Sequence, residues 1–448
     1  MINRQRLTQV LEIEESLFEK LHPKSKIASE SSSKSLVGGV PMPWMTRLPG
    51  AFPIHVRQAH GAMFSDIDDI EYIDFCLGDT GSMTGHGVSE ITEAVSAQMK
   101  KGSTTMLPTH DATWVGEELT RRFGLPKWQF AVSATDANRF ALRIARHITN
   151  RPKVLVHDWC YHGTVDETLV ISNELGQTIS RPGAIGPQID PALTTRVVPF
   201  NDLEILEKQL AFRDVACMLI EPALTNIGIV LPDPGYLAGV RELTSKYGTL
   251  LIIDETHTIC AGSGGCTKLW NLKPDIFVIG KSIGGGFPVA AYGLTEELAA
   301  QIEMKIFEHD VDVSGIGGTL AGSAVAMASI KATLSHCLLP EQFVKTVELA
   351  SRWADGVEKS FKKYDLKWSV QQLGCRAEYW FCKPPKNGAQ AAAASDPQLE
   401  TFMHLWAINR GVLLTPFHNM ALMSPFHSLQ DIDAHTKVFS TALETLFN

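Results

Sequence analysis

Three stretches in the middle of the chain, VACMLIEP (215–222), TLLIIDE (249–255) and DIFVIGK (275–281), are apolar at consecutive positions and then end in charge. A strand with one wet face alternates apolar and polar residues, whereas a strand covered on both faces is apolar throughout. Helical periodicity lies between these runs near 233–247. It recurs between WQFAVS (128–133) and KVLVHD (153–158), where Ala137, Ala141, Ile144, Ala145 and Ile148 share one face while Arg139, Arg143 and Arg146 take another. Buried strands separated by helices predict an α/β fold with a mainly parallel sheet of about seven strands. Ligands of such sheets sit beyond the carboxyl ends of the strands, so the polar residues there are the candidates for function.

The 448 residues can fill two or three domains of roughly 150 residues each. A net charge of -9 argues against a nucleic-acid partner, which calls for a basic face. No apolar run reaches membrane-spanning length, and MINRQRLTQVLEIEESLFEK at the start reads as an amphipathic helix. The eight cysteines are scattered without a disulfide-like framework, which fits reduced thiols in the cytoplasm. ASESSSKSL (28–36) reads as a polar loop, and KNGAQAAAASDPQ (386–398) as an exposed insertion.

Lys281 leaves a strand whose run Ile276-Phe277-Val278-Ile279 is β-branched and aromatic. An amine in that position loses hydration and is more easily deprotonated into a nucleophile. Gly280-Lys281-Ser282 spells the end of a phosphate-binding loop, but that motif needs a glycine five residues earlier, and Asp275 opens a strand there instead. The remaining reading is a lysine that forms a Schiff base with a carbonyl cofactor. Ser133-Ala134-Thr135-Asp136 turns straight into a helix and offers N–H groups to an anion, or simply caps the helix. Trp159-Cys160-Tyr161-His162-Gly163 provides an aromatic surface able to stack on a flat ligand. Glu221 and Asp254 each close an apolar strand and need a cationic or hydrogen-bonding partner. Asp254 suits the task of holding a proton on a ring nitrogen. His157 with Cys160 and His257 with Cys260 also admit a tetrahedral zinc site, although each pair straddles a strand end.

Taken together, these segments resemble the class III, fold-type I pyridoxal-phosphate aminotransferases, in the branch around glutamate semialdehyde aminomutase and the ω- and β-aminotransferases. The likeness runs from about residue 36 almost to the C-terminus, through SDIDDIEYIDF, VSATDANRFALRIARHITNRPKVLVHDWCYHG, the Asp254 and Lys281 segments, and GGTLAGSAVAMASI. It implies pyridoxal 5'-phosphate as the cofactor and Lys281 as the residue in Schiff-base linkage and as general base. Ser133, Ala134 and Thr135 would hold the phosphate, completed by Gly318 and Thr319 from the second subunit of a homodimer. Tyr161 and Thr256 would flank the ring, with His162 in the same set. Glu221 and Asn226 would lie near the ring and its hydroxyl, and Asp254 would pair with the ring nitrogen. The implied architecture has an N-terminal segment (1–74) joined to a C-terminal part (331–448) as a small domain, around a large cofactor domain (75–330).

The departures fall on the substrate side. The phosphate motif has Ala134 where glycine is usual, and Thr256 where valine is usual. In GGVPMPWM the position of the semialdehyde enzyme's carboxylate-binding arginine is Met45, with Arg47 two residues on. Its Ser-Trp substrate pair is replaced by Gly78-Asp79, and Asp79 either repels a carboxylate, attracts a second amine or caps a loop. Phe417 and His418 are candidates to face the pocket. The activity these features imply is an aminotransferase passing nitrogen from an amine or amino acid to a keto acid or aldehyde in ping-pong fashion. The alternative is an aminomutase, racemase or epimerase on the same scaffold. A third reading, a non-enzymatic or metal-binding protein, conflicts with the presence of Asp254, Lys281 and Thr319.

Overall fold

Every residue of the strands Val215–Ile220, Ile276–Ile279 and Ala290–Leu294 is buried, which is why their sequences are unbroken apolar runs. The computed structural model describes residues 2–186, 189–306 and 314–447. It divides into two units, one gathering the chain up to residue 88 with 344–384 and 394 onward, the other comprising 89–343 and 385–393.

The second unit is built on a seven-stranded sheet in the order 127–131, 290–294, 276–279, 250–254, 215–220, 153–157, 195–198. Ala290–Leu294 is antiparallel to both its neighbours, and the other six strands point the same way. The helix Ala134–Thr149 buries Ala137, Ala141, Ile144 and Ala145 against this sheet, with Ile148 at the margin, as its apolar stripe dictates. Ser133 caps it, its Oγ accepting from the Asp136 N–H at 3.3 Å. The segment around 386–393 belongs to this unit and is not a free excursion. Gly388 lies so close to the Asp158 carbonyl that a Cβ there has no room, and Lys386 pairs with Asp233.

The first unit carries a four-stranded sheet (56–60, 63–66, 71–74 and 412–413) and a three-stranded one (369–373, 376–380 and 420–422). The N-terminal helix spans Arg4–Leu21. A second helix, Pro23–Ser32, occupies part of the stretch expected to be a loop. Pro23 at its first turn sets a helical φ, and Asp68 accepts from the Ser25 N–H and hydroxyl at 2.9 and 2.7 Å, fixing the helix start despite its polar composition.

Phe277 is fully buried at the centre of the sheet, within ring contact of Phe123 and Trp128. Phe277→Ala is expected to cost about 3–5 kcal/mol through the cavity it leaves, read as a shift in the denaturation midpoint of the sheet unit.

Candidate active site

The strand Leu250–Asp254 delivers the Asp254 carboxylate into a buried position, and the surrounding residues make its charge tolerable. Oδ2 accepts from Asn138 Nδ2 and faces His162 Nδ1, both at 2.9 Å, while Oδ1 accepts from the Thr256 N–H at 3.0 Å. Asn138 ties the cluster together by donating also to the His162 carbonyl at 3.1 Å. Burial opposes charge on both partners, yet their mutual hydrogen bond prevails. The carboxyl therefore lies below the usual carboxylate range, and the His162 imidazole above its ordinary value. Oδ1 accepts only from Thr256 among the described residues, which leaves it capacity for one more donor.

Lys281 stands on the neighbouring strand end, with its Nζ 2.8 Å from His257 Nε2. Its backbone is left-handed, at φ 47°, a conformation a non-glycine residue holds only when its surroundings enforce it. Gly280 contributes to that enforcement, since a Cβ at this position would lie 3.0 Å from the Ala134 Cβ. The absence of that carbon lets the Lys281 turn approach the start of the helix Ala134–Thr149. Gly163, at φ 80°, similarly leaves room for Thr135. The Thr135 hydroxyl in turn accepts from the Thr164 N–H at 3.1 Å.

At the helix N-terminus, Ser133 satisfies the N–H groups of Asp136 and Ala137. Those of Ala134 and Thr135 take no partner among the described residues and point along the positive end of a 16-residue helix. Glu221 is buried; Thr225 donates to its Oε2, and Oε1 has no partner among the described residues. Burial is the main cause that pushes its carboxyl up to about 7. Asn226 faces Arg181, and with its amide turned so that the oxygen meets the guanidinium it accepts two N–H groups at 3.1 Å. Tyr161 is half-buried, and Gly318 and Thr319 are exposed. His162 Nε2 and Thr256 Oγ1 are buried polar atoms with no hydrogen-bond partner among the described residues. Together with the open position on Asp254 and the free helix N–H groups, they fit a polar aromatic ligand bearing a phosphate.

The substrate candidates Met45, Arg47, Asp79, Phe417 and His418 all belong to the other unit. Met45 and Arg47 are exposed on the short turn Pro43–Thr46 and just after it. Trp44 meets Phe417 edge-on at 5.5 Å. Asp79 lies in a left-handed turn at φ 49°, and His418 is 3.7 Å from Glu378.

The two His/Cys pairs are engaged separately. His157 contacts the Tyr236 hydroxyl at 2.8 Å, and burial pushes its imidazole down to about 3. His257 contacts Lys281. Among the described residues no group of three or more His, Cys, Asp or Glu could hold a metal ion. Glu255 is structural, accepting from Thr258, Cys266 and Thr267 and so fixing the loop behind Asp254. Asn138 is not among the residues the sequence singles out, and His257 is singled out there only as half of a zinc pair. Asn138 sits on the buried face of its helix between Ala137 and Ala141, and a polar residue on that stripe was the available signal. His257 becomes significant only once the strand register is known.

A mainly parallel seven-stranded sheet with an ionised aspartate and a lysine at adjacent strand ends defines a fold-type I pyridoxal-phosphate enzyme. The chain belongs to the aminotransferase class-III family, whose model matches residues 45–443. It is 32% identical over 420 residues to glutamate-1-semialdehyde 2,1-aminomutase 2 of Geobacillus kaustophilus, covering 92% of this chain and 96% of that one. A crystal structure of a glutamate-1-semialdehyde-aminomutase from Pseudomonas aeruginosa PAO1 matches with a TM-score of 0.97 and 42% identity over 99% of both chains. A lysine-to-alanine variant of that aminomutase has been crystallised in complex with PMP. An omega-transaminase from Sphaerobacter thermophilus matches with a TM-score of 0.85 and 28% identity, over 95% of this chain and 98% of that one. The cofactor of the present protein is pyridoxal phosphate.

Because the Glu221 carboxyl is raised from 4.5 to about 7, ionising it costs folding free energy. That cost is absent below pH 4.5 and grows until the folded value is passed. Glu221→Gln escapes it, so its melting temperature is expected to rise relative to wild type as pH goes from 4.5 to 7, with a constant difference above. A difference independent of pH would contradict this environment.

Proposed function

We propose that the protein relocates amino groups with pyridoxal phosphate, and that it works as an aminomutase, moving the group within one substrate. The observation that carries the amino-group chemistry is the buried Asp254, held ionised by His162 and Asn138 with one oxygen still able to accept. Bound there, the cofactor supplies an electron sink for the carbon that bears the amino group. Asp254 keeps a proton on the ring nitrogen, and His162 acts through Asp254. The N–H groups of Ala134 and Thr135, with Ser133, bind the phosphate. Tyr161 covers one ring face and Thr256 the other, while Glu221 and Asn226 serve the hydroxyl edge. Lys281 would hold the cofactor covalently, give way to the incoming amine and serve as the base that moves the proton. The exposure of Gly318 and Thr319 suits completion of a second copy's site, so we read the working form as a homodimer.

Support for an aminomutase comes from the similar proteins, among them the Geobacillus and Pseudomonas enzymes. Met45, where the resemblance calls for an arginine, directs the proposal away from glutamate semialdehyde itself. The second reading, transfer from an amine or amino acid donor to a keto acid or aldehyde acceptor, draws on that same departure and on the likeness to the Sphaerobacter transaminase. The eight free cysteines favour a reducing compartment, which we take to be the cytoplasm. Among the described residues no helix is long and apolar enough to cross a membrane.

Incubating the enzyme with single amino compounds and no acceptor separates the readings. An aminomutase yields an isomer over many turnovers, and product formation that stops at one equivalent until a keto acid is added supports the transaminase. In either case Lys281→Ala is expected to abolish turnover, and Asp254→Asn to lower kcat by at least about 100-fold, the scale of one misplaced proton. An Asp254→Asn enzyme with normal kcat would contradict the assigned ring-nitrogen role.

A further inference from the structure

The contact between Lys281 Nζ and His257 Nε2 at 2.8 Å follows from the register of the sheet. The strands Leu250–Asp254 and Ile276–Ile279 run parallel with Asp254 opposite Val278. Three residues beyond each lie His257 and Lys281. Both turns are held in place. Lys281 is in the left-handed region with Gly280 packed on Ala134, and His257 leads directly into the short helix Thr258–Ala261, whose first hydroxyl is bound by buried Glu255. Both side chains are half-buried. Imidazole is the side chain whose ordinary proton affinity lies nearest neutrality, with one nitrogen to accept and one to donate. An amine must lose a proton before it can act as nucleophile or base.

We propose that His257 is the proton partner of Lys281, accepting a proton from the lysine ammonium while the lysine is not bonded to the cofactor. In that transfer an N–H bond at Nζ breaks and leaves its electron pair on the nitrogen, an N–H bond forms at Nε2, and nothing is oxidised or reduced. The freed pair is what would bond to the cofactor's aldehyde carbon, whose oxygen would leave as water with the two remaining amine hydrogens. The inference rests on the pyridoxal-phosphate reading and adds a residue to it.

The test is the rate at which the full-length protein, stripped of cofactor with hydroxylamine and dialysed, takes pyridoxal phosphate back, followed by the absorbance of the bound cofactor. His257→Gln is expected to reach the same final loading on the order of 100-fold more slowly. His257→Ala is expected to be slow as well and to be accelerated by added imidazole in proportion to its concentration. A glutamine variant that loads within about two-fold of the wild-type rate, far inside the general acid–base range, overturns the proposal. So does slow loading of the alanine variant on which imidazole has no effect, since a purely structural role predicts that. If the alanine variant does not fold, the glutamine rate decides alone. Failure of wild type to take up any cofactor overturns the reading of the whole site and this inference with it.

Discussion

A carboxylate cannot sit at the buried end of an apolar strand unless the protein replaces the water it has lost, and Asp254 sets that requirement for everything around it. His162 and Asn138 meet one oxygen and the Thr256 N–H meets the other. Each of these partners comes with its own element. Asn138 requires the helix Ala134–Thr149 to face the strand end, and His162 requires the loop after Lys153–His157 to turn back over the sheet. The same placement puts the helix N-terminus, with two N–H groups that have no partner among the described residues, on the side of the carboxylate cluster. One electrostatic debt therefore organises both the carboxylate cluster and the helix start, which we propose serve the ring nitrogen and the phosphate.

The parallel register does the corresponding work for the chemistry. Because Asp254 pairs with Val278, the residues that follow the two strands leave the sheet side by side, and Lys281 comes to lie by His257. Small residues allow the close approaches this needs: Gly280 against Ala134 and Gly163 against Thr135. Alanine in place of the family's usual glycine at 134 is compatible with this geometry, because the residue starts a helix and its N–H remains available.

Much of this was legible in the sequence because burial on both faces writes itself as uninterrupted apolar runs, and the ends of those runs are marked by charge. The sheet, the helix after Ser133, Asp254 and Lys281 all announce themselves in that way. The exception within the same signal is the start of the chain: a polar segment reads as loop, yet Pro23 and Asp68 make it helix, since one part-buried hydrogen-bonding carboxylate outweighs weak amphipathicity. Partners that depend on register or on a single buried face were not legible. Asn138 is one polar residue in a helix, and His257 looked like half of a zinc pair until the strands were aligned. The substrate residues carry the least sequence signal. Their chemistry depends on what surrounds Met45, Asp79 and Phe417, and these belong to the unit built from both ends of the chain.

The central claim is that Lys281 carries pyridoxal phosphate. Reducing the purified enzyme with borohydride, digesting it and weighing the peptides tests this directly. The account predicts that the peptide containing Lys281, and no other lysine peptide, gains the mass of the reduced cofactor. A modification on a different lysine, or none in protein saturated with pyridoxal phosphate, would contradict it.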